Sequence, residues 1–415
     1  MMKKCDLVII GGGSAGMAAA IEARKGGISS ILILERENYL GGILNQCIHN
    51  GFGLTEFKEE LTGPEYLSRF VKQIKELNIE YKLNTFVNKV SKDKIITCTN
   101  SEDGILEIEA KAIVFAIGCY ERASGAISLP GDRPSGILTA GTAQRYLNVH
   151  GYLAGKKVVI LGSGDIGLIM ARRLTLEGAK VECVAEIMPY SNGLARNIQQ
   201  CLIDYDIPLY LSHTVSKVVG KSRVEKVILS QVDDKMNFIP GSEKEFDCDT
   251  LILSVGLIPY TKELLNMGAE SSFGKINVDQ NLQTSIPGIF TCGNCLHVHD
   301  VVDFVTEEGR EAGRAAALYL NNNLHDDKFV NVLPKNGISY AIPQKISTNL
   351  QDNVNIKFRV RTPVKDKYVI VKIADKEIVK AFYTALVPSE MVMLKIDKNK
   401  LDNPTSDIEI FLEDK

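Results

Sequence analysis

Two copies of one glycine motif are the residues whose types and spacing most clearly predict chemistry. The first reads Gly11-Gly12-Gly13-Ser14-Ala15-Gly16 and the second reads Gly162-Ser163-Gly164-Asp165-Ile166-Gly167. A glutamate follows each copy at the same distance, because 24 positions separate Gly11 from Glu35 and also Gly162 from Glu186. A repeated motif with a matched acid predicts two sites of the same chemical kind.

The elements around each motif predict what these sites bind. Apolar runs at 7–10 and 158–161 precede the two motifs, and a helical pattern follows each of them. A G-x-G-x-x-G loop between a buried strand and a helix brings backbone amides to a pyrophosphate, and an acid after the next strand accepts hydrogen bonds from a ribose hydroxyl. We therefore expect two bound dinucleotides, FAD and NAD. Glu186 favours NAD over NADP, because a carboxylate repels a 2′-phosphate and the next arginine is Arg196.

Composition excludes several other classes of protein. The chain has 415 residues, a formal charge of −3 and 45% hydrophobic residues, so it is long enough for two or three globular domains. No basic patch indicates nucleic-acid binding, and no apolar stretch approaches the roughly 18 residues of a membrane span. The apolar run at 7–10 leads directly into the glycine loop, so it is expected to be a strand and not a signal peptide. Nine scattered cysteines form no disulfide pattern, which favours a reducing, cytoplasmic location.

Strands that end on glycine outline the architecture. The apolar runs 112–118 and 250–256 end at Gly118 and Gly256, and the second module is predicted to begin near Gly136. Beyond residue 329 the glycine loops and long helical patterns disappear, and strand patterns replace them. The sequence therefore predicts an α/β fold with two Rossmann-like dinucleotide-binding domains and a small C-terminal β-rich domain at 329–415.

Together with Gly-Ile-Phe-Thr-Cys-Gly-Asn at 288–294, these features make residues 5–325 resemble the two-dinucleotide-binding-domain flavoproteins. These are the pyridine nucleotide-disulfide oxidoreductase superfamily, whose domains are of the glutathione-reductase type. In that family two separated chain segments hold FAD, and the NAD(P)H domain is inserted between them. The resemblance implies an FAD domain at 1–135 and 257–328 and an NAD domain at 136–256.

The resemblance also implies which residues bind the cofactors. Gly293-Asn294 stands where the family usually has Gly-Asp at the ribityl chain, so the hydrogen-bonding side chain is kept and its charge is lost. The implied cofactor-binding residues are Gly11, Gly13, Ser14, Ala15, Gly16, Glu35, Arg36, Gly42, Ile43, Asn45, Val87, Ala116, Gly118, Gly162, Gly164, Asp165, Ile166, Gly167, Glu186, Gly256, Gly293, Asn294 and Val302.

A narrower resemblance concerns the segment 41–53 and the sequence His297-Val-His299-Asp300. Both are similar to FAD/NAD-binding subunits encoded beside a glycerol-3-phosphate-dehydrogenase-like flavoprotein and a small Cys-rich protein. That branch implies an electron-transfer subunit in a hetero-oligomer, with the flavoprotein dehydrogenase as partner and the small Cys-rich subunit as a further candidate partner. The residues themselves do not identify the substrate.

Cysteines and histidines supply the alternatives. Disulfide reductases of the superfamily carry paired cysteines, whereas Cys47 stands alone, and a single reactive thiol there remains open. Cys47 is therefore one candidate catalytic residue. His299, on a segment expected to run past the flavin, is the other. Cys292 and Cys295 have C-x-x-C spacing, and a helix starting at Cys295 would lower its thiol pKa. With His297 and His299 they match a pattern of four metal ligands. Four ligands so close together at a cofactor-binding turn leave too little room for a tetrahedral site, so no metal is expected.

Three functions therefore remain open. The first is an FAD-dependent, NAD-linked electron-transfer subunit, in which His297, His299 and Asp303 run past the flavin and a positive group or helix N-terminus stabilises its reduced charge. The alternative for the histidines is that they only satisfy backbone groups. The second function is a stand-alone thiol or peroxide reductase that uses Cys47 or Cys292/Cys295, and the third is a nucleotide-bound assembly scaffold.

Overall fold

The computed structural model describes residues 2–272, 274–324, 328–401, 404 and 406–415, and the chain divides into two compact units. The first unit comprises Met1–Leu44, Asn50–Cys119 and Pro259–Lys415, and the second comprises Asn45–His49 and Tyr120–Ile258. The sequence places the first boundary at 135/136. The segment from residue 120 belongs to the second unit because Leu129 lies in that unit's core and Gly131 bridges to Val218.

The amino-terminal part of the first unit is a Rossmann-like sheet with an antiparallel extension. Its elements are β1 (Lys3–Ile10), α1 (Ser14–Lys25), β2 (Ile31–Leu34), β3 (Asn50–Phe52), β4 (Leu61–Thr62), α2 (Gly63–Glu76), β5 (Glu80–Lys82), β6 (Thr85–Val90), β7 (Ile95–Asn100) and β8 (Gly104–Phe115). The strand order β5-β2-β1-β8 is parallel, and β7 and β6 follow in antiparallel order. The apolar run at 7–10 is fully enclosed in this sheet, as strands covered on both faces require.

The second unit repeats the same plan. Its elements, with the two linking strands at its ends, are β9 (Cys119–Glu121), β10 (Ile137–Thr139), α3 (Ala140–Asn148), β11 (Lys157–Leu161), α4 (Asp165–Leu176), β12 (Lys180–Glu186), α5 (Ala195–Cys201), β13 (Leu209–Leu211), β14 (His213–Gly220), β15 (Val224–Gln231), β16 (Lys244–Asp247), β17 (Thr250–Leu253) and β18 (Leu257–Pro259). A five-stranded parallel sheet has the order β10-β17-β11-β12-β13, and β14-β15-β16 form a separate antiparallel sheet.

The chain then returns to the first unit. The elements of this return are α6 (Lys262–Asn266), β19 (Ser271–Ser272), β20 (Lys275–Ile276), β21 (Ile289–Thr291) and α7 (Val302–Leu320). β21 pairs in parallel with the carboxyl end of β8, at Ile113–Phe115, and so adds a seventh strand to the first sheet. α7 packs against α1 at very short range, because a Cβ on Gly309 would lie 2.3 Å from the Ala15 oxygen and one on Gly313 would lie 2.2 Å from the Ala19 oxygen.

The carboxyl-terminal part of the first unit is built from strands. They are β22 (Phe329–Pro334), β23 (Ile338–Ile342), β24 (Lys345–Ser347), β25 (Val354–Val360), β26 (Val364–Ile373), β27 (Lys376–Leu386), β28 (Val392–Ile396) and β29 (Ile408–Asp414). Two sheets, β24-β22-β29-β26-β27 and β23-β25-β28, enclose a hydrophobic core of their own. The predicted fold class, two Rossmann-like α/β modules with a β-rich C-terminal part, is confirmed. Among the described residues, none of the helices is long and apolar enough to cross a membrane.

Candidate functional site

The first glycine motif forms a tight turn between β1 and α1. Gly11 has φ +102°, and a Cβ there would lie 2.4 Å from the Ala116 oxygen. A Cβ on Gly16 would lie 1.9 Å from the Gly11 oxygen, so both positions exclude any side chain. At Gly13, by contrast, a Cβ would meet nothing within 4 Å. The turn is therefore packed on its inner side and open at Gly13, which fits a loop that receives a pyrophosphate.

The start of α1 has the electrostatic character that an anion requires. Gly13 is the N-cap residue and offers no side chain to the first backbone amides. No acidic residue lies in the first turn, which contains Ser14 and Ala15. Unsatisfied amides and the positive end of the helix dipole together favour a bound phosphate group. This end of the first unit fits the diphosphate of FAD.

Glu35, directly after β2, is buried and holds the first loop. Its Oε2 accepts a hydrogen bond from Gly12 N at 2.7 Å, and its Oε1 accepts one from Glu37 N at 2.9 Å. Each carboxylate oxygen has a second lone pair, so the group can still accept a ribose hydroxyl. Arg36 next to it is exposed, with 68% of its side chain accessible. The carboxylate thus fits the role that the sequence predicts for it.

Three further predicted segments meet this loop. Gly41 N donates to the Gly12 oxygen at 2.8 Å, and a Cβ on Gly42 would lie 3.4 Å from the Gly13 Cα. A Cβ on Gly293 would lie 2.9 Å from the Ala15 Cβ. The structure therefore gathers the glycine motif, Gly42, Gly293 and the Ala116 end of β8 around the start of α1.

Other residues predicted at the FAD site lie elsewhere or at its margins. Ile43 is 61% exposed, and Val302 is the first residue of α7. Val87 lies on β6 opposite Cys98 of β7. Gly118 follows β8 with φ +73° and open space around it. Asn45 belongs to the segment 45–49, which groups with the second unit.

Within the second unit the segment 45–49 is anchored to α3. Gln46 donates to the Gly141 oxygen and to Gln144 Oε1, both at 2.9 Å, and Asn148 Nδ2 donates to the Gln46 oxygen at 2.8 Å. The Cys47 Sγ lies 3.9 Å from Gln144 Oε1. Burial raises the pKa of Cys47 to about 12, which is the opposite of the low pKa of a reactive thiol.

The second glycine motif has the same inner geometry as the first. Gly162 has φ +98°, and a Cβ there would lie 2.1 Å from the Ser254 oxygen; a Cβ on Gly167 would lie 2.7 Å from the Ser254 Cβ. Gly164 has only ordinary contacts, at 3.7 Å or more. Ile166 follows the loop in α4, and Gly256 lies just beyond β17 with φ +105° and open space. This loop fits a second dinucleotide.

Charged groups around the second loop differ from those of the first. Glu186, 4% exposed, accepts hydrogen bonds from Ser163 N at 3.0 Å and Ser163 Oγ at 2.7 Å. Asp165, the first residue of α4, accepts from Leu194 N at 2.8 Å and from Asn197 Nδ2 at 2.7 Å. Two donors thus hold the Asp165 carboxylate at the helix start, and this acid is a local difference from the uncharged first turn of α1.

A cluster of buried ionisable groups lies behind the Gly293 turn, and sequence reasoning found only part of it. Glu308 of α7 is its centre, with no exposed side-chain surface. Oε2 accepts from Gly293 N at 2.7 Å, while Oε1 accepts from His297 Nε2 at 2.9 Å and from Lys357 Nζ at 2.8 Å. His299 Nε2 lies 3.5 Å from Oε2. Lys357 also donates to Glu311 at 3.0 Å.

The charge state of this cluster follows from its contacts. Burial alone would raise the pKa of Glu308, but the Lys357 ammonium and the hydrogen bond from His297 hold it well below the usual range. Burial lowers the pKa of His297 to about 4, so a neutral imidazole donates from Nε2. Glu308 and Glu311 outweigh burial and raise the pKa of Lys357. The centre of the cluster is thus a buried carboxylate–ammonium pair beside neutral His297.

Histidines 297 and 299 each keep one nitrogen without a hydrogen-bond partner among the described residues, namely Nδ1 of His297 and Nε2 of His299. With Glu308 they offer three ligand atoms within 4.8 Å of one another, as a metal site would. Lys357 Nζ, 2.8 Å from Glu308, already supplies the cation beside this carboxylate. We therefore assign no metal to the cluster, and the expectation of no metal stays a prediction.

Cys292 directly precedes the Gly293 turn and Cys295 is its last residue; both are buried thiols. The predicted helix start at Cys295 is wrong: Gly293–Cys295 is a single 3-10 turn, and α7 begins seven residues later at Val302. Burial raises the pKa of Cys295 to about 11 and that of Cys292 well above the usual value. Because Cys295 ends this 3-10 turn, it lacks the helix-start position that would lower its thiol pKa.

Asp303 has a positioning role that the sequence did not reveal. Its carboxylate, in the first turn of α7, accepts from Gly53 N at 3.1 Å, Thr55 N at 2.7 Å and Glu56 N at 3.2 Å. It therefore ties the loop after the 41–53 segment to the start of α7. The three backbone donors lie about 250 residues before Asp303 in the chain, so no local sequence pattern indicates these hydrogen bonds.

Comparison with known proteins agrees with this geometry. The family model for pyridine nucleotide-disulphide oxidoreductases matches residues 5–318. A Listeria monocytogenes thioredoxin reductase is 26% identical over 320 residues, 76% of this chain and 93% of that protein. A Methanocaldococcus jannaschii NADH oxidase is 28% identical over 318 residues, 72% of this chain and 64% of that protein.

Solved structures show the same fold. The crystal structure of Lactococcus lactis thioredoxin reductase superposes with a TM-score of 0.63 at 21% identity, covering 77% of this chain and 99% of that one. The bacillithiol disulfide reductase of Bacillus cereus gives a TM-score of 0.64 at 20% identity, covering 78% of this chain and all of that one. The β-rich part from residue 329 lies outside the family match.

Proposed function

This chain belongs to the pyridine nucleotide-disulphide oxidoreductase family, and from that premise we propose that it is an FAD-dependent, NAD-linked electron-transfer subunit. It would pass electrons between NAD(H), FAD and a partner dehydrogenase of the glycerol-3-phosphate-dehydrogenase-like kind, with a small Cys-rich subunit as a further candidate partner. When bound, FAD accepts a hydride from the nicotinamide. The chain's own residues bind and orient the two nucleotides.

One observation carries the proposal: both nucleotide loops are intact, while burial raises the pKa of each cysteine that the sequence singles out. The values are about 12 for Cys47 and about 11 for Cys295, and Cys292 lies well above its usual range. A thiolate is the form that attacks a disulfide or peroxide, and it is scarce at neutral pH at such sites. Electrons that enter from NADH are then expected to leave through a partner protein.

The choice of NAD rests on Glu186. Its carboxylate is buried and accepts hydrogen bonds from Ser163 and, at 3.0 Å, from Met188 N. A 2′-phosphate next to this group would add negative charge beside a buried carboxylate, whereas a free hydroxyl can donate to it.

Anaerobic titration with NADH and with NADPH tests the entry of electrons. The purified chain, reconstituted with FAD, should lose its flavin absorbance with NADH at much lower concentrations than with NADPH. An indifferent spectrum with both nucleotides would contradict an oxidoreductase role and favour the scaffold alternative. Equal responses would contradict the NAD assignment.

A second experiment addresses the route by which electrons leave. Co-expression with a glycerol-3-phosphate-dehydrogenase-like flavoprotein should give a stable complex in gel filtration, and NADH should reduce the flavin of that partner only within the complex.

A stand-alone thiol or peroxide reductase is the second candidate, because the thioredoxin and bacillithiol disulfide reductases above are similar to this chain. It predicts NADH-dependent turnover of a disulfide or peroxide by the isolated chain, abolished by Cys47→Ser or Cys292→Ser. Turnover of that kind would overturn the electron-transfer proposal.

A further inference from the structure

Strand β25 presents an unusual face to the flavin-binding part of the first unit. Its apolar residues Ile356, Phe358 and Val360 are buried in the core of the C-terminal β-rich part. The alternate residues Asn355, Lys357 and Arg359 point the other way, as the period of a strand requires. All three of these polar residues contact the segment 298–311.

Lys357 is the most deeply placed of the three. Only 6% of its side chain is exposed, and its ammonium lies 2.8 Å from Glu308 Oε1 and 3.0 Å from Glu311 Oε2. The other oxygen of Glu308 accepts from Gly293 N at 2.7 Å. A chain of contacts thus runs from Lys357 through Glu308 to the backbone of the turn that touches Ala15 at the first glycine loop.

Arg359 makes a second connection, to the turn that follows the histidines. Its guanidinium donates to the Val298 oxygen at 3.0 Å and pairs with Asp300. The other Asp300 oxygen accepts from Met391 N at 2.7 Å, again from the β-rich part. Asn355 completes the set by donating to Glu311 at 3.1 Å.

These contacts are unlike ordinary surface ion pairs. Exposed pairs contribute little to stability, whereas removing one partner of a buried pair leaves an uncompensated charge in a medium of low dielectric constant. Without Lys357, Glu308 would keep Gly293 N and neutral His297 as donors but lose its cation. A negative charge would then face the turn whose glycine packs on the FAD loop.

We infer that Lys357 is a positioning residue of the flavin site: through Glu308 it holds the Gly293 turn and sets the local charge, so that the C-terminal β-rich part completes the FAD site. This inference rests on the proposed function in requiring that FAD binds at the first loop. It does not depend on NAD, on a partner or on the route of the electrons.

The sign of the electrostatic effect distinguishes this role from a merely structural one. Adding electrons to FAD raises its negative charge, so an uncompensated Glu308 should lower the flavin midpoint potential. Glu308→Gln keeps an oxygen that can accept from Gly293 N but removes the negative charge and leaves Lys357 beside Glu311. The potential should then rise.

The experiment compares Lys357→Met, Glu308→Gln and the double variant with the matched control Lys335→Met. Lys335 pairs with Glu409 in the same β-rich part, but 49% of its side chain is exposed. The measurements are FAD affinity by fluorescence titration of the apoprotein, the flavin midpoint potential by equilibration with a reference dye, and apoprotein melting.

We expect Lys357→Met to bind FAD at least about tenfold more weakly and to have a lower potential. Glu308→Gln should shift the potential in the opposite direction, and the double variant should lie near the wild type. Lys335→Met should match the wild type in FAD affinity and potential.

Equal losses of melting temperature in both single variants, with wild-type FAD affinity and potential, would overturn the inference. Potentials that shift in the same direction would overturn it as well. If Lys357→Met does not fold, Glu308→Gln alone still decides through the sign of its shift. A wild-type chain that binds FAD but ignores NADH would contradict the proposed function and leave this test intact.

Discussion

At the residue scale, the two kinds of glycine in the first loop separate folding from binding. Gly11 and Gly16 are packed against backbone atoms, so glycine is required there for the turn itself. Gly13 has an ordinary φ of −75° and open space where a side chain would point. The fold gives no reason for the missing side chain, so we expect a bound diphosphate to require it.

Gly13→Ala should therefore leave the apoprotein folded while weakening FAD. We expect apoprotein stability to fall by less than about 1 kcal/mol, the usual difference between glycine and alanine at an N-cap. FAD affinity should fall at least about tenfold, because the methyl group enters the space that the diphosphate needs. Thermal melting of the apoprotein and a fluorescence titration with FAD measure the two effects.

Gly11→Ala is the matched comparison, since its Cβ would lie 2.4 Å from the Ala116 oxygen at φ +102°. That variant should lose stability with or without FAD. Wild-type FAD affinity in Gly13→Ala would show that the open side of the loop is not the cofactor side.

At the scale of elements, the contact between α1 and α7 links two separated chain segments of the first unit. Gly309 and Gly313 lie one turn apart on α7 and allow its backbone to approach Ala15 and Ala19 of α1. The sequence shows both glycines, but it gives no reason for them, because glycine in a helix is unfavourable by itself. The reason is the partner helix, and local patterns carry no information about it.

Gly309→Ala should destabilise the chain although alanine favours a helix. Its Cβ would lie 2.3 Å from the Ala15 oxygen, so α7 or the first turn of α1 must move. We expect a loss of about 1–3 kcal/mol in the free energy of unfolding, the range for overpacking, together with weaker FAD binding. Denaturant unfolding and FAD titration measure these changes.

Gly125→Ala serves as the control, because a Cβ there would meet nothing within 4 Å and its φ is not positive. It should leave both quantities unchanged. A stabilised Gly309→Ala variant would mean that helix propensity outweighs the short contact.

At the scale of the whole molecule, the sequence predicts the features that local patterns encode and misses those that depend on tertiary contacts. The two β-α-β modules and the β-rich tail follow from local apolar patterns and glycine turns, and the structure confirms them as a fold class. Lys357 and Arg359 were visible only as polar residues alternating with an apolar face. Charged side chains are usually exposed, so only the tertiary structure reveals that α7 and the turn before it cover this face.

The second unit should fold when residues 120–258 are expressed alone. Its two hydrophobic cores are built only from residues of this unit, and Arg122 N donates to the Gly256 oxygen at 3.1 Å, so its two ends lie side by side. We expect one cooperative thermal transition and binding of NADH in calorimetry. The same fragment carrying Gly162→Ala, whose Cβ would lie 2.1 Å from the Ser254 oxygen, should not fold.

The absence of a cooperative transition in the unsubstituted fragment would mean that this unit depends on the segment 45–49 or on the rest of the chain.

The place of β21 in the first sheet has a consequence for synthesis on the ribosome. β8 ends at Phe115, but its neighbour β21 begins at Ile289, and the inserted unit is translated between them. At about 5–20 residues per second, this interval lasts on the order of ten to thirty seconds. During this interval the carboxyl end of β8 lacks its neighbouring strand in the nascent first sheet, while the inserted unit can already fold. We therefore expect FAD to bind late, because Gly293, which packs against Ala15 after the first glycine loop, is translated only after β21.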